Sequence, residues 1–110
     1  MNKKAEKYLV DILDSIELIE QFVPEKYSFT KYLNDIKTRS AVERHLGIIG
    51  EAVNKYNKFD SNVLLLNTKQ IIGLRNRIIH AYDSLDDNII WITVKKHLPL
   101  LKKEVQSKLK

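Results

Sequence analysis

Apolar side chains return every three or four residues along almost the whole of this 110-residue chain, and no long run of them alternates. A helix brings every third or fourth residue to one face, whereas a strand brings every second, so the pattern predicts helices throughout. Glycine and proline, which interrupt helices, number only three and two. The first helix should run from about Asn2 to Val23, with Tyr8, Leu9, Ile12, Ile16, Ile19 and Val23 as its stripe and Pro24 as its stop. A short turn at Thr30–Leu33 should precede a second helix from about Asp35 to Asn57, striped by Val42, Leu46, Ile49, Val53 and Tyr56. The Lys58–Leu66 connection should tuck Val63-Leu64-Leu65-Leu66 against the core. A third helix starts near Asn67 or Thr68, where Asn67 and Gln70 resemble a capping box, and reaches about Tyr82. Residues 83–87 read as a turn ending in an N-cap. A fourth helix, from about Asn88 to Lys108, should be kinked or broken at Pro99. Connections this short favour antiparallel neighbours. The expected fold class is therefore all-α: an up-and-down four-helix bundle with a short extra helical turn, as a single domain over residues 1–110.

With 44% apolar and 30% charged residues, the chain has the composition of an ordinary globule. The absence of cysteine excludes disulfides, thiolate metal sites and thiol catalysis. The charged N-terminal segment, with Asp11, Asp14, Glu17 and Glu20, is unlike a signal peptide or membrane span, which points to a cytoplasmic protein with no membrane partner. The net charge of +5 is unevenly spread. Residues 1–94 carry 13 basic and 13 acidic side chains, whereas residues 95–110 carry six lysines against Glu104 alone. A lysine-rich final helix solubilises a surface and complements a helix dipole; it can also steer phosphates.

Chemistry concentrates in Arg75-Asn76-Arg77-Ile78-Ile79-His80-Ala81-Tyr82. An arginine can hold a phosphate and a histidine can move a proton near neutral pH. At roughly 100° per residue, Ile71, Ile72, Leu74, Ile78, Ile79, Ala81 and Tyr82 share one arc of the third helix, and Arg75 falls near its middle. A guanidinium there needs a carboxylate or an open cleft. Glu51 and Glu43 are the candidate partners, and Glu51 is favoured because it too interrupts an apolar run, Ile48-Ile49-Gly50-Glu51-Ala52-Val53. His80 lies about 140° round from Arg75, close to Asn76 one turn before it. One copy of the helix therefore does not make a compact site, and a two-fold dimer pairing this helix with its mate would. Taken alone, an arginine so placed is more often a structural ion pair than a catalyst, a histidine like His80 more often a solvated helix edge, and a tyrosine like Tyr82 most often simple packing. His45, His80 and His97 lack metal-ligand spacing, and neither a phosphate-binding glycine loop nor a nucleophile elbow is present; no cofactor is expected.

The string Gly73-Leu74-Arg75-Asn76-Arg77-Ile78-Ile79-His80-Ala81-Tyr82 resembles the signature of the HEPN superfamily, and more closely its HepT-like branch. Residues 41–52, Ala-Val-Glu-Arg-His-Leu-Gly-Ile-Ile-Gly-Glu-Ala, are similar to that branch's second-helix pattern, and Trp91 with Leu98-Pro99-Leu100-Leu101 adds a third match. Many members carry a tryptophan shortly before the glycine matching Gly73; this chain has Asn67-Thr68-Lys69-Gln70-Ile71-Ile72 there. The resemblance implies a helical bundle that dimerises through its motif helices. It implies a metal-independent endoribonuclease acting on RNA as the toxin of a toxin–antitoxin pair, with Arg75 and His80 catalytic; Glu51, as the partner of Arg75, and Asn76, one turn before His80, would support them. It further implies a minimal nucleotidyltransferase antitoxin that silences the toxin by transferring AMP to Tyr82. The alternative within the same resemblance is a non-catalytic nucleotide- or substrate-binding partner of a nucleotidyltransferase.

Overall fold

Asn2 accepts a hydrogen bond from the Lys4 amide and so opens helix α1 (Lys3–Phe22), which ends just before Pro24. The computed structural model describes residues 2–59 and 64–110. Ser28 caps the short α2 (Phe29–Leu33), whose Phe29 and Tyr32 rings pack at 5.5 and 5.4 Å from the Trp91 ring. Asp35 then starts α3 (Ile36–Phe59) by accepting from the amide and hydroxyl of Thr38. The Tyr27 hydroxyl donates to the same carboxylate at 2.7 Å, and these bonds hold Asp35 below the usual carboxylate range.

Helix α3 is the spine of the molecule. Helix α1 packs along it, and α4 (Lys69–His80) crosses it on another side. Leu9, Ile12, Ile16 and Ile19 of α1 meet Val42, Leu46, Ile49 and Val53 of α3 in a fully buried seam. Burying each such side chain contributes about 1.5–3 kcal/mol, so these helices are held by the stripe rather than by helix propensity. The C-terminal rod closes the bundle against α1. It comprises α5 (Asp87–Ile92), a π-helical turn (Thr93–His97) and α6 (Leu98–Leu109), with Ile90, Leu98, Leu101 and Val105 buried. The expected disturbance at Pro99 thus takes the form of a wide turn just before it, closed by the Leu98 amide donating to the Thr93 carbonyl. Among the described residues there is no strand, and no helix is long and apolar enough to cross a membrane.

Three details differ from the sequence reading. Of the Val63–Leu66 run, Leu65 alone is shown in the core; Leu64 and Leu66 are exposed, and Val63 lies outside the described residues. The capping box at Asn67 and Gln70 is absent. Thr68 holds the N-cap position without a side-chain bond, while the Asn67 amide and side chain both donate to Glu104 of α6. A carboxylate across the bundle offered the loop a better acceptor than its own helix. Finally, α4 stops at His80, and Tyr82–Ser84 form a separate 3₁₀ turn. The apolar arc of α4 is only half covered. Ile71 and Leu74 are buried where α4 meets α3, whereas Ile79 is 52% and Tyr82 59% exposed.

Candidate functional site

The site is set by how closely α3 and α4 approach. A Cβ at Gly50 would lie 2.4 Å from Cβ and 2.8 Å from Cγ of Arg75, so the crossing requires glycine there. Laid over Gly50, the arginine stem carries its guanidinium to the next residue of α3. Nη2 donates to Oε2 of Glu51 at 2.5 Å, and Nη1 donates to Oδ1 of Asn76 at 3.1 Å. Lys55 approaches the other oxygen of Glu51 at 3.9 Å. The Arg75 side chain is 21% exposed, so its charge is partly withdrawn from water and matched by a neighbour. Arg75, Asn76 and Glu51 are thereby brought together.

His80 is not part of that cluster. As the last residue of α4 it is exposed and makes no hydrogen bond or ion pair among the described residues. Asn76 is exposed one turn before it. His45 makes a different contact. Its Nδ1 sits 3.2 Å from the Ser15 hydroxyl in the seam between α1 and α3, and burial pushes its pKa below the ordinary value. Among the described residues no three His, Asp or Glu side chains gather as a metal site would.

Tyr82 lies beyond the helix end, and its hydroxyl donates to Oε1 of Glu43. Glu43, one of the two carboxylates considered for Arg75, stands two turns before Glu51 on α3 and serves the tyrosine instead. That hydrogen bond, and then the carboxylate's charge, raise the phenol's pKa above its ordinary value. Arg39, one turn before Glu43, pairs with Asp87 of α5 at 3.0 Å beside it. Sequence reasoning missed the Glu43–Tyr82 contact and the need for Gly50. For Gly50 a signal existed, since a glycine inside a strong helical pattern has a packing reason. Beside Glu51 opens a groove of about 410 Å³ between α1, α3 and α4, whose lining includes Tyr8, Arg44, Lys55 and Ile79.

The family model described as ribonuclease HepT-like matches residues 12–107. The chain belongs to the HepT-like ribonuclease family. A protein of Thermococcus cleftensis named as a probable ribonuclease HepT is 39% identical over 103 residues, covering 93% of each chain. One of Methanocaldococcus jannaschii named as a candidate RNase is 37% identical over 109 residues, covering 96% of this chain and 98% of that one. No solved structure matches. The HepT-like match takes in α3, α4 and the turn after it, so Glu43, Gly50, Glu51, Arg75, Asn76, His80 and Tyr82 all fall inside it.

Proposed function

We propose that this HepT-like chain is a metal-independent endoribonuclease worked by Arg75 and His80. The observation that supports this best is the state of His80. Its imidazole is exposed and without a partner among the described residues, five positions on from a guanidinium held by Glu51 and Asn76. RNA cleavage of this kind uses the ribose 2′-hydroxyl as nucleophile. It needs a group that moves protons and a cation that meets the charge building on phosphorus. His80 moves the proton, Arg75 meets the phosphate oxygens, and Asn76 orients the imidazole or the phosphate. The products are a 2′,3′-cyclic phosphate and a 5′-hydroxyl. Because Arg75 and His80 leave α4 on different sides, the working unit is a homodimer through the motif helices, in which two copies complete the cleft. The chain is the toxin of a toxin–antitoxin pair. Its partner is a minimal nucleotidyltransferase that transfers AMP to Tyr82, adding bulk and negative charge beside the cleft.

The test is cleavage of end-labelled RNA in excess chelator by wild type, Arg75→Ala and His80→Ala. Each substitution should lower the rate by about a hundredfold or more, with cyclic-phosphate ends in the wild-type products. Full cleavage by His80→Ala would remove its proton-transfer role. One observation favours a second reading. The Arg75 guanidinium already has protein acceptors at Glu51 and Asn76, as a purely architectural arginine would. On that reading the chain is a non-catalytic nucleotide- or substrate-binding partner of a nucleotidyltransferase. A folded wild type that binds RNA or nucleotide yet never cleaves would select it.

A further inference from the structure

Tyr82 and Glu43 are paired across the surface: the ring is outside and the carboxylate inside. The tyrosine is 59% exposed, yet its hydroxyl donates to a glutamate that is only 8% exposed. The contact joins the turn after α4 to the first half of α3, 39 positions away. Around the carboxylate stand Tyr32 of α2, Arg39 of α3 and Asp87 of α5, besides Tyr82 itself. Arg39 and Asp87 already balance one another at 3.0 Å, and the buried Tyr32 hydroxyl has no hydrogen-bond partner.

A phenol is a poor nucleophile near neutral pH, because it holds its proton up to a pKa of about 10. A carboxylate resting on the hydroxyl can take that proton while the new bond forms. We infer that Glu43 is the general base that makes the Tyr82 hydroxyl a nucleophile towards the α-phosphorus of a nucleoside triphosphate. The inference rests on the proposed modification of Tyr82 and adds that the acceptor chain supplies its own base. The bond from Tyr82 Oη to the α-phosphorus forms. The bond from that phosphorus to the oxygen bridging to the β-phosphate breaks, its electron pair leaving with pyrophosphate. The phenolic proton passes to Glu43 and from there to water. Glu43 is thus a catalytic residue of the modification and has no part in RNA cleavage. Once modified, the tyrosine has no proton to offer, and an anionic phosphodiester faces the carboxylate where a donor stood. The ring is therefore driven away from α3.

The base can be tested without the transferase, using an adenosine-bearing aryl sulfonyl fluoride that reacts with tyrosine hydroxyls, with labelled sites read by peptide mass spectrometry. Wild-type Tyr82 should label faster than Tyr8, at a rate that is nearly flat between about pH 7 and 8.5, whereas a free phenol gains about tenfold per pH unit. Glu43→Gln keeps an acceptor but no base and should label roughly a hundredfold more slowly, with Glu43→Asp in between. Equal labelling of Glu43→Gln and wild type would overturn the inference. So would a wild-type Tyr82 rate that climbs with the phenolate slope, a readout that stands even where the variants fail to fold. The intact mass of the chain purified from its native host tests the other half. Glu43-dependent labelling without any adenylyl group on Tyr82 in that host would leave the base in place and sink the modification.

Discussion

An alanine at position 50 would put a methyl group against the Cβ and Cγ of Arg75, at distances no relaxed contact shows. Either α3 and α4 separate or the arginine stem moves, and both take the guanidinium from Glu51. Gly50→Ala should therefore lower stability by about 1–3 kcal/mol despite its gain in helix propensity, and RNA cleavage should fall with it. Thermal melting together with the cleavage assay checks this; a variant as stable and active as wild type would mean that the crossing does not position Arg75. At this scale the sequence was partly legible. A charge on an apolar arc demands a counter-charge, and Glu51 betrayed itself by interrupting an apolar run of its own. The Glu43–Tyr82 contact carried no such mark. Tyr82 read as the end of an apolar arc, and the contact exists because α4 stops at His80 and the next turn redirects the phenol.

Helix positions were legible because each long helix has a continuous stripe, and α1 and α3 end within two residues of the expected bounds. What the stripe cannot convey is which neighbour wins a polar group in a loop. Asn67 carried the local signal of a cap, but Glu104 of α6 accepts from the Leu66 amide, the Asn67 amide and the Asn67 side chain. One carboxylate thus pins the approach to α4 onto the C-terminal rod. With Glu104→Ala these donors turn to water, at a cost of about 1 kcal/mol for a partly exposed site. Amide exchange at Leu66 and Asn67 should then quicken about fivefold, while the α1–α3 seam stays protected. Uniformly faster exchange would show that Glu104 supports the whole fold rather than this loop.

The molecule measures 42 × 30 × 18 Å, and its thin dimension leaves room for about two layers of helices at 8–10 Å spacing. A helix in either layer therefore keeps part of its surface open, and on α4 the exposed residues include Ile79, at the groove beside Glu51, and His80. The sequence stripe suggested that Ile79 would be buried; within one chain it is not. If the motif helices pair, Ile79 gains its cover from the second copy. Wild type should sediment at twice the 12.9 kDa of one chain, whereas Ile79→Glu should sediment as a monomer and lose cleavage. A monomeric wild type with full activity would refute the composite cleft. Composition alone could not reveal this, because an apolar residue awaiting a partner and one inside the core look the same in a stripe.

The wide turn at Thr93–His97 gives the chain a setting of phase. A π-helical turn holds one residue more than an α-helical turn, and each residue rotates the rest of the rod by about 100°. Between buried Ile90 and Leu98 the wide turn buries two neighbours, Thr93 and Val94, whereas Leu98, Leu101 and Val105 are spaced three and four. The inward face thus passes through the wide turn before Pro99 and resumes ordinary helical spacing after it. Removing one residue from Thr93–His97 would leave the composition almost untouched and turn α6 as a unit. Leu101 and Val105 would swing off the core, and Glu104 would swing off the loop that leads into α4. Length within these five residues is therefore as strong a constraint on the site as any side chain in them.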